Sequence, residues 1–293
     1  MVLFPLLILL IIPIKSLNAK NRHIIKKEDI IVFFEEPLRI AAKEASDFYP
    51  ALKAELEKKL KWRVNFRPTI LLIKDNKTFQ TMAGSDLVVA FAVPGRNLIV
   101  IDYSKMKTHP FSIEITLQHE LCHLLLHSQI EGKNLPRWLD EGIAQWISGG
   151  IPEIIMDQKR SVLNEAILSG KYLRIRALTD RFPVEKKSLM LAYEESKSLV
   201  EYIISQFGIE GILMILNNLK DGDEVDKAIF KSLSIDLDEL EGQWHHHLKK
   251  RITWLTYLIN HLYEILFSLA ALVMIFGFIR RLIQKRAYMD EED

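Results

Sequence analysis

The stretch TLQHELCHLLLH, residues 116–127, places three histidines and a glutamate among leucines in what reads as a single helix. Ionisable side chains are seldom fully buried without a partner, so such a cluster either lies at a helix surface or holds something. His119 and His123 are four residues apart, which on a helix sets them about 40° apart around the axis and one turn apart along it. Two imidazoles at that spacing can reach one ion. Glu120 follows His119 directly, where a carboxylate can take the proton of a metal-activated water as it attacks a carbonyl. Together these residues form the pattern HExxH. Leu117, Leu121, Leu124 and Leu125 give the helix an apolar face to turn toward a core.

A catalytic zinc takes three protein ligands and keeps the fourth place for water, so a third ligand is needed from a later element. LPRWLDEGIAQWISGG, residues 135–150, is suited to supply it. Pro136 fits the first turn of a helix, and Glu141 lies on that helix beyond a loop. Asp140 is the rival ligand, but neighbouring helix residues point about 100° apart, so only one of the two should face the metal. Gly142 can let helices approach closely, or be a tolerated helix glycine.

The two stretches together resemble the gluzincin metallopeptidases, and most closely the peptidase MA-like family, whose pattern couples HExxH to a downstream W-L-x-E-G-x-A helix. Both parts are present, as His119-Glu120-x-x-His123 and as Trp138-Leu139-Asp140-Glu141-Gly142-Ile143-Ala144. The resemblance implies that His119, His123 and Glu141 bind Zn2+ and that Glu120 is the general base and acid. It spans roughly residues 35–248 and is strongest over 117–148. Relatives carry a tyrosine near the start of a similar late helix. By that resemblance Tyr193 either donates to the oxyanion as it forms or fills the core with its hydroxyl at the rim. Gln145, one turn after Glu141, can accept from the outer nitrogen of a ligand histidine, although some relatives use an aspartate there.

Other candidates fall outside the cluster. His127 continues the four-residue spacing but lies a further turn along, where a partly exposed histidine is expected. His245, His246 and His247 fan around their helix and cannot converge on one ion. His109 precedes Pro110 in a loop, and Cys122 reads as a small hydrophobe.

Working outward, PLRIAAKEASDFYPALKAELEKKL, residues 37–60, predicts one or two amphipathic helices around Pro50. RPTILLIK reads as a strand, and DLVVAFAVPGRNLIVID reads as two short antiparallel strands around Pro94-Gly95-Arg96-Asn97. Three strands make a small sheet. Helices are expected at 112–128, 136–148, 158–169, 188–206, 209–219, 224–231 and 236–250. The fold class is therefore α+β, with a small N-terminal sheet and a mainly helical C-terminal half. The resemblance makes this a zincin-like domain over residues 20–250, whose sheet edge can bind an extended peptide by strand addition.

The two ends point to a membrane. Residues 1–19 read as a secretory signal or a retained N-terminal anchor. Residues 255–279 are long and apolar enough for one transmembrane helix, and the charged tail 280–293 follows. Arg280, Arg281, Lys285 and Arg286 favour a cytoplasmic C-terminus, and an N-terminal signal would put the domain outside the cytoplasm, in the periplasm or extracellular space.

With 39 basic and 38 acidic residues the net charge is +1, far from the basic field that nucleic-acid binding needs. One cysteine, Cys122, excludes an internal disulfide. The expected partners are a peptide or protein substrate and the lipid bilayer; the sequence gives no oligomeric state. An inactive tethered zinc-binding protein has no need of Glu120. An intramembrane protease would bury HExxH in a long apolar span, and Glu114, His119, Glu120 and Glu131 make this stretch too polar. A zinc hydrolase of a non-peptide bond shares the motif.

Overall fold

The computed structural model describes residues 22–106, 111–131, 133–149, 161–251, 259 and 261–290. The signal or anchor at 1–19, His109, the start of the helix expected at 158–169, and residues 255–258 and 260 of the expected span lie outside the described residues. The chain divides into two units, residues 1–244 and 245–293.

The first unit begins with a five-stranded sheet in the order β1-β2-β3-β5-β4. Its strands are β1 (Arg22–Lys26), β2 (Ile31–Glu35), β3 (Thr69–Ile73), β4 (Ala90–Val93) and β5 (Leu98–Asp102). β2, β3 and β5 run parallel, while β1 and β4 pair antiparallel as the two edges. The hairpin expected between residues 86 and 102 is present as β4 and β5, with Val93 facing Leu98 across the turn. β1 and β2 correct the three-strand expectation. β2 carries the alternation of a half-buried strand, with Val32 and Phe34 buried between less buried neighbours.

Helix α1 (Arg39–Leu60) runs unbroken through Pro50. Proline has no N–H to give to the carbonyl four residues back. That carbonyl, on Ser46, instead accepts from Lys27 Nζ at 3.0 Å, so the lost bond is replaced from outside the helix. A short helix α2 (Asn76–Ala83) covers one sheet face with Phe79 against Leu71, Ile73, Leu98 and Val100. α1 and α3 (Ile113–Gln129) pack on strands of the same sheet.

Ser112 starts α3 by accepting from the Ile115 N–H. Every residue from Thr116 to Leu126 is buried. The expected single core face is therefore corrected: α3 is enclosed by β4, β5, α1 and α4 (Arg137–Ser148), and its polar groups need partners inside the protein. One such partner is Glu55 of α1, whose carboxylate accepts from Gln118 Nε2 at 2.8 Å.

Further described α-helices are α5 (Val162–Ser169), α6 (Lys186–Lys220), α7 (Val225–Leu233) and α8 (Leu237–Arg251), of which residues 237–244 belong to this unit. α6 breaks at Gly208, where φ 71° and ψ 175° leave the helical region, matching the two helices expected on either side. Trp244 is fully buried and its Nε1 donates to Ser198 Oγ at 3.1 Å.

The second unit contains α9 (Leu262–Asp290). Two described helices are long and apolar enough to cross a membrane: α6, half of whose apolar window is buried, and the Leu262–Arg281 part of α9, none of which is buried. α6 is the core helix of the first unit, whereas α9 displays Phe267, Leu272, Val273, Met274, Phe276 and Phe278 outward.

Candidate metal centre

The site is built where α3 crosses α4. The three nitrogen and oxygen atoms that His119, His123 and Glu141 can offer all lie within 4.8 Å of one another. His119 Nε2 and His123 Nε2 are 3.0 Å apart, and Glu141 Oε2 is 3.7 Å from the first and 3.6 Å from the second. Ligands about 2.0–2.1 Å from a tetrahedral zinc stand roughly 3.3 Å apart, which these separations bracket. His119 is fully buried and Glu141 and His123 nearly so. Three electron-pair donors turned toward one point in a dry interior repel unless a proton or a cation lies among them, so the donor set could hold a metal ion.

Asp140 does not compete for the metal position. Its Oδ1 lies 2.7 Å from His123 Nδ1, the ring nitrogen facing away from His119, and its Oδ2 lies 2.9 Å from His127 Nε2. Burial by itself would raise the Asp140 carboxyl, but the charge and hydrogen bond of His123 and the hydrogen bond from His127 outweigh it and hold the group well below the usual carboxylate range. For His123, burial would lower the imidazole, and the carboxylates of Asp140 and Glu141 reverse this and raise it well above the ordinary value.

Glu141 divides its oxygens. Oε2 faces the imidazoles and Oε1 accepts from Arg137 Nη2 at 3.0 Å. The Arg137 guanidinium also lies over the Phe182 ring, 5.2 Å from its centroid, and Phe182 meets the Tyr193 ring edge-on at 5.1 Å.

Of the residues expected from sequence, His119, His123 and Glu141 are brought together, and Glu120, next to His119 on α3, is fully buried. Tyr193 is buried on α6, the helix packed along α4. Gln145 is a correction: its Nε2 donates to the carbonyls of Glu141 and Tyr193, tying α4 to α6, and the outer nitrogen of His123 is met by Asp140 instead. Gly142 allows a close approach, but to α6: an added Cβ would stand 2.5 Å from the Ser196 carbonyl oxygen. Burial pushes the Cys122 thiol up, keeping it a neutral apolar group.

Sequence reasoning missed Asp140, Arg137 and His127 as the surroundings of the ligands. The signal was the 100° turn between Asp140 and Glu141: if one faces the metal, the other can face the back of an imidazole.

Among curated proteins none matches the chain. The family model described as the peptidase MA superfamily matches residues 83–250, more than half of the chain and the whole span of α3 and α4. A buried His-His-Glu group between two helices, inside a match of that extent, places this chain in the peptidase MA superfamily.

Proposed function

We propose that this protein is a membrane-anchored, zinc-dependent metallopeptidase in which His119, His123 and Glu141 hold the metal and Glu120 is the general base. The observation that carries the reading is the convergence of one carboxylate oxygen and two imidazole nitrogens at the α3–α4 crossing, and Glu120, the residue after His119, is fully buried. Zinc bound there supplies Lewis acidity, polarising a carbonyl and bringing the pKa of a water to about 7. Glu120 accepts the proton of that water and returns it to the departing amine. Tyr193, held through its carbonyl by Gln145 of the ligand-bearing helix, is the candidate donor to the negative charge developing on the carbonyl oxygen. β4 supports a peptide substrate: it is an edge strand, antiparallel to its neighbour, on the side of the sheet next to α3. An extended peptide can add to that edge and lie beside the site.

α9, apolar and outward-facing, is the proposed anchor, and the four cations from Arg280 to Arg286 favour a cytoplasmic tail with the peptidase domain outside the cytoplasm. The test is cleavage of a mixed peptide library by the zinc-loaded, detergent-solubilised full chain. Cleavage that a chelator stops, that zinc restores and that Glu120→Gln reduces by about 10²–10⁴ fold supports the reading. Cleavage that survives Glu120→Gln contradicts it.

A further inference from the structure

His127 and Asp140 form a second layer behind the candidate ligands. His123 and His127 are four apart on α3, so both project toward α4 one turn apart. Asp140 stands between them, with Oδ1 at 2.7 Å from His123 Nδ1 and Oδ2 at 2.9 Å from His127 Nε2. An ionised carboxylate only accepts, so each facing ring nitrogen carries a hydrogen. With Nδ1–H given to Asp140, the neutral ring carries its lone pair on Nε2, the nitrogen that faces Glu141 and His119, and that is the tautomer a metal requires.

A carboxylate held by one oxygen can still swing about its terminal torsion, which is broad. The second bond, from His127, fixes its plane. We infer that His127 is a positioning residue for the metal centre: through Asp140 it holds His123 in ligating tautomer and orientation. This rests on the zinc reading above and extends it one residue outward. Arg137 is the weaker counterpart on Glu141, because its side chain is 46% exposed and competes with water, whereas that of His127 is 24% exposed and that of Asp140 is 13% exposed.

The test is zinc affinity, read by competition with a chelating chromophore on the full chain in detergent, with the visible spectrum of the Co2+-loaded protein as a second readout. His127→Leu, or His127→Ala should the leucine disturb packing, is expected to weaken zinc by about tenfold, the low end for groups behind a ligand. His127→Gln, whose amide can still donate to Asp140, recovers most of that affinity and the wild-type cobalt spectrum. In an Asp140→Ala background, removing His127 has no further effect, because the two act in series. Unchanged affinity in His127→Leu, no recovery in His127→Gln, or a full loss that persists without Asp140 overturns the inference. Failure of the wild-type chain to bind zinc overturns the metal reading itself, and is distinguishable because the wild type is measured first.

Discussion

Burial pushes the Glu195 carboxyl up to about 8, helped by the nearby charges of Glu241 and Glu194 and opposed only by the Leu173 N–H that it accepts. Between its ordinary value near 4.5 and about 8 the folded protein holds a proton that the unfolded chain lacks. Its contribution to stability is therefore present at low pH and is lost as pH rises through about 8. Glu195→Gln, which keeps the acceptor for Leu173 and cannot ionise, should flatten the fall in stability by up to about 1.4 kcal/mol per pH unit over that window. Denaturation midpoints of wild type and variant at about pH 5 and about pH 8 check this; parallel losses would contradict it. At the same scale, the ligand trio was legible because helical spacing fixes which side chains share a face. Asp140 and His127 were not, because a pattern on one helix does not say which neighbour on the other helix turns toward its back. Glu195 gave no signal either, since its burial depends on the segment around Leu173 folding over it.

The α4–α6 contact is the element on which the site leans most. Gly142 is needed there for space: an alanine Cβ would come within 2.5 Å of the Ser196 carbonyl and 2.7 Å of Val200 Cγ2, and backbone cannot yield as a flexible side chain does. Gly142→Ala should cost roughly 1–3 kcal/mol, seen as a lower melting temperature of the metal-free chain. An unchanged melting temperature would mean that α4 stands farther from α6. The long helices were readable from their apolar periodicity, and the break at Gly208 from the glycine itself. α1 was ambiguous at Pro50 because the replacement bond comes from Lys27, far away in the chain. β1 and β2 escaped notice because five-residue strands leave only two or three alternations to see, and β1 has no buried residue.

For the molecule as a whole, α6 and α9 look alike by length and apolarity and differ in what surrounds them. Composition cannot separate a core helix from a span; only the packing of α6 against α4, α5 and α7 does so. A chain anchored by α9 should stay with membranes through a high-salt or alkaline wash and be released by detergent, whereas release by alkali alone would leave α9 without its proposed role. The α+β organisation was legible at this scale because the strand-like runs all precede residue 103, with α1 and α2 among them, and the described chain beyond residue 112 carries helical periodicity. The central claim, that the buried His-His-Glu group is a zinc site, is tested most directly by the zinc-to-protein ratio of the purified full chain in detergent. One zinc per chain in wild type and in Glu120→Gln, and far less in Glu141→Ala, is the predicted result. A folded wild-type chain that takes up no zinc would contradict it.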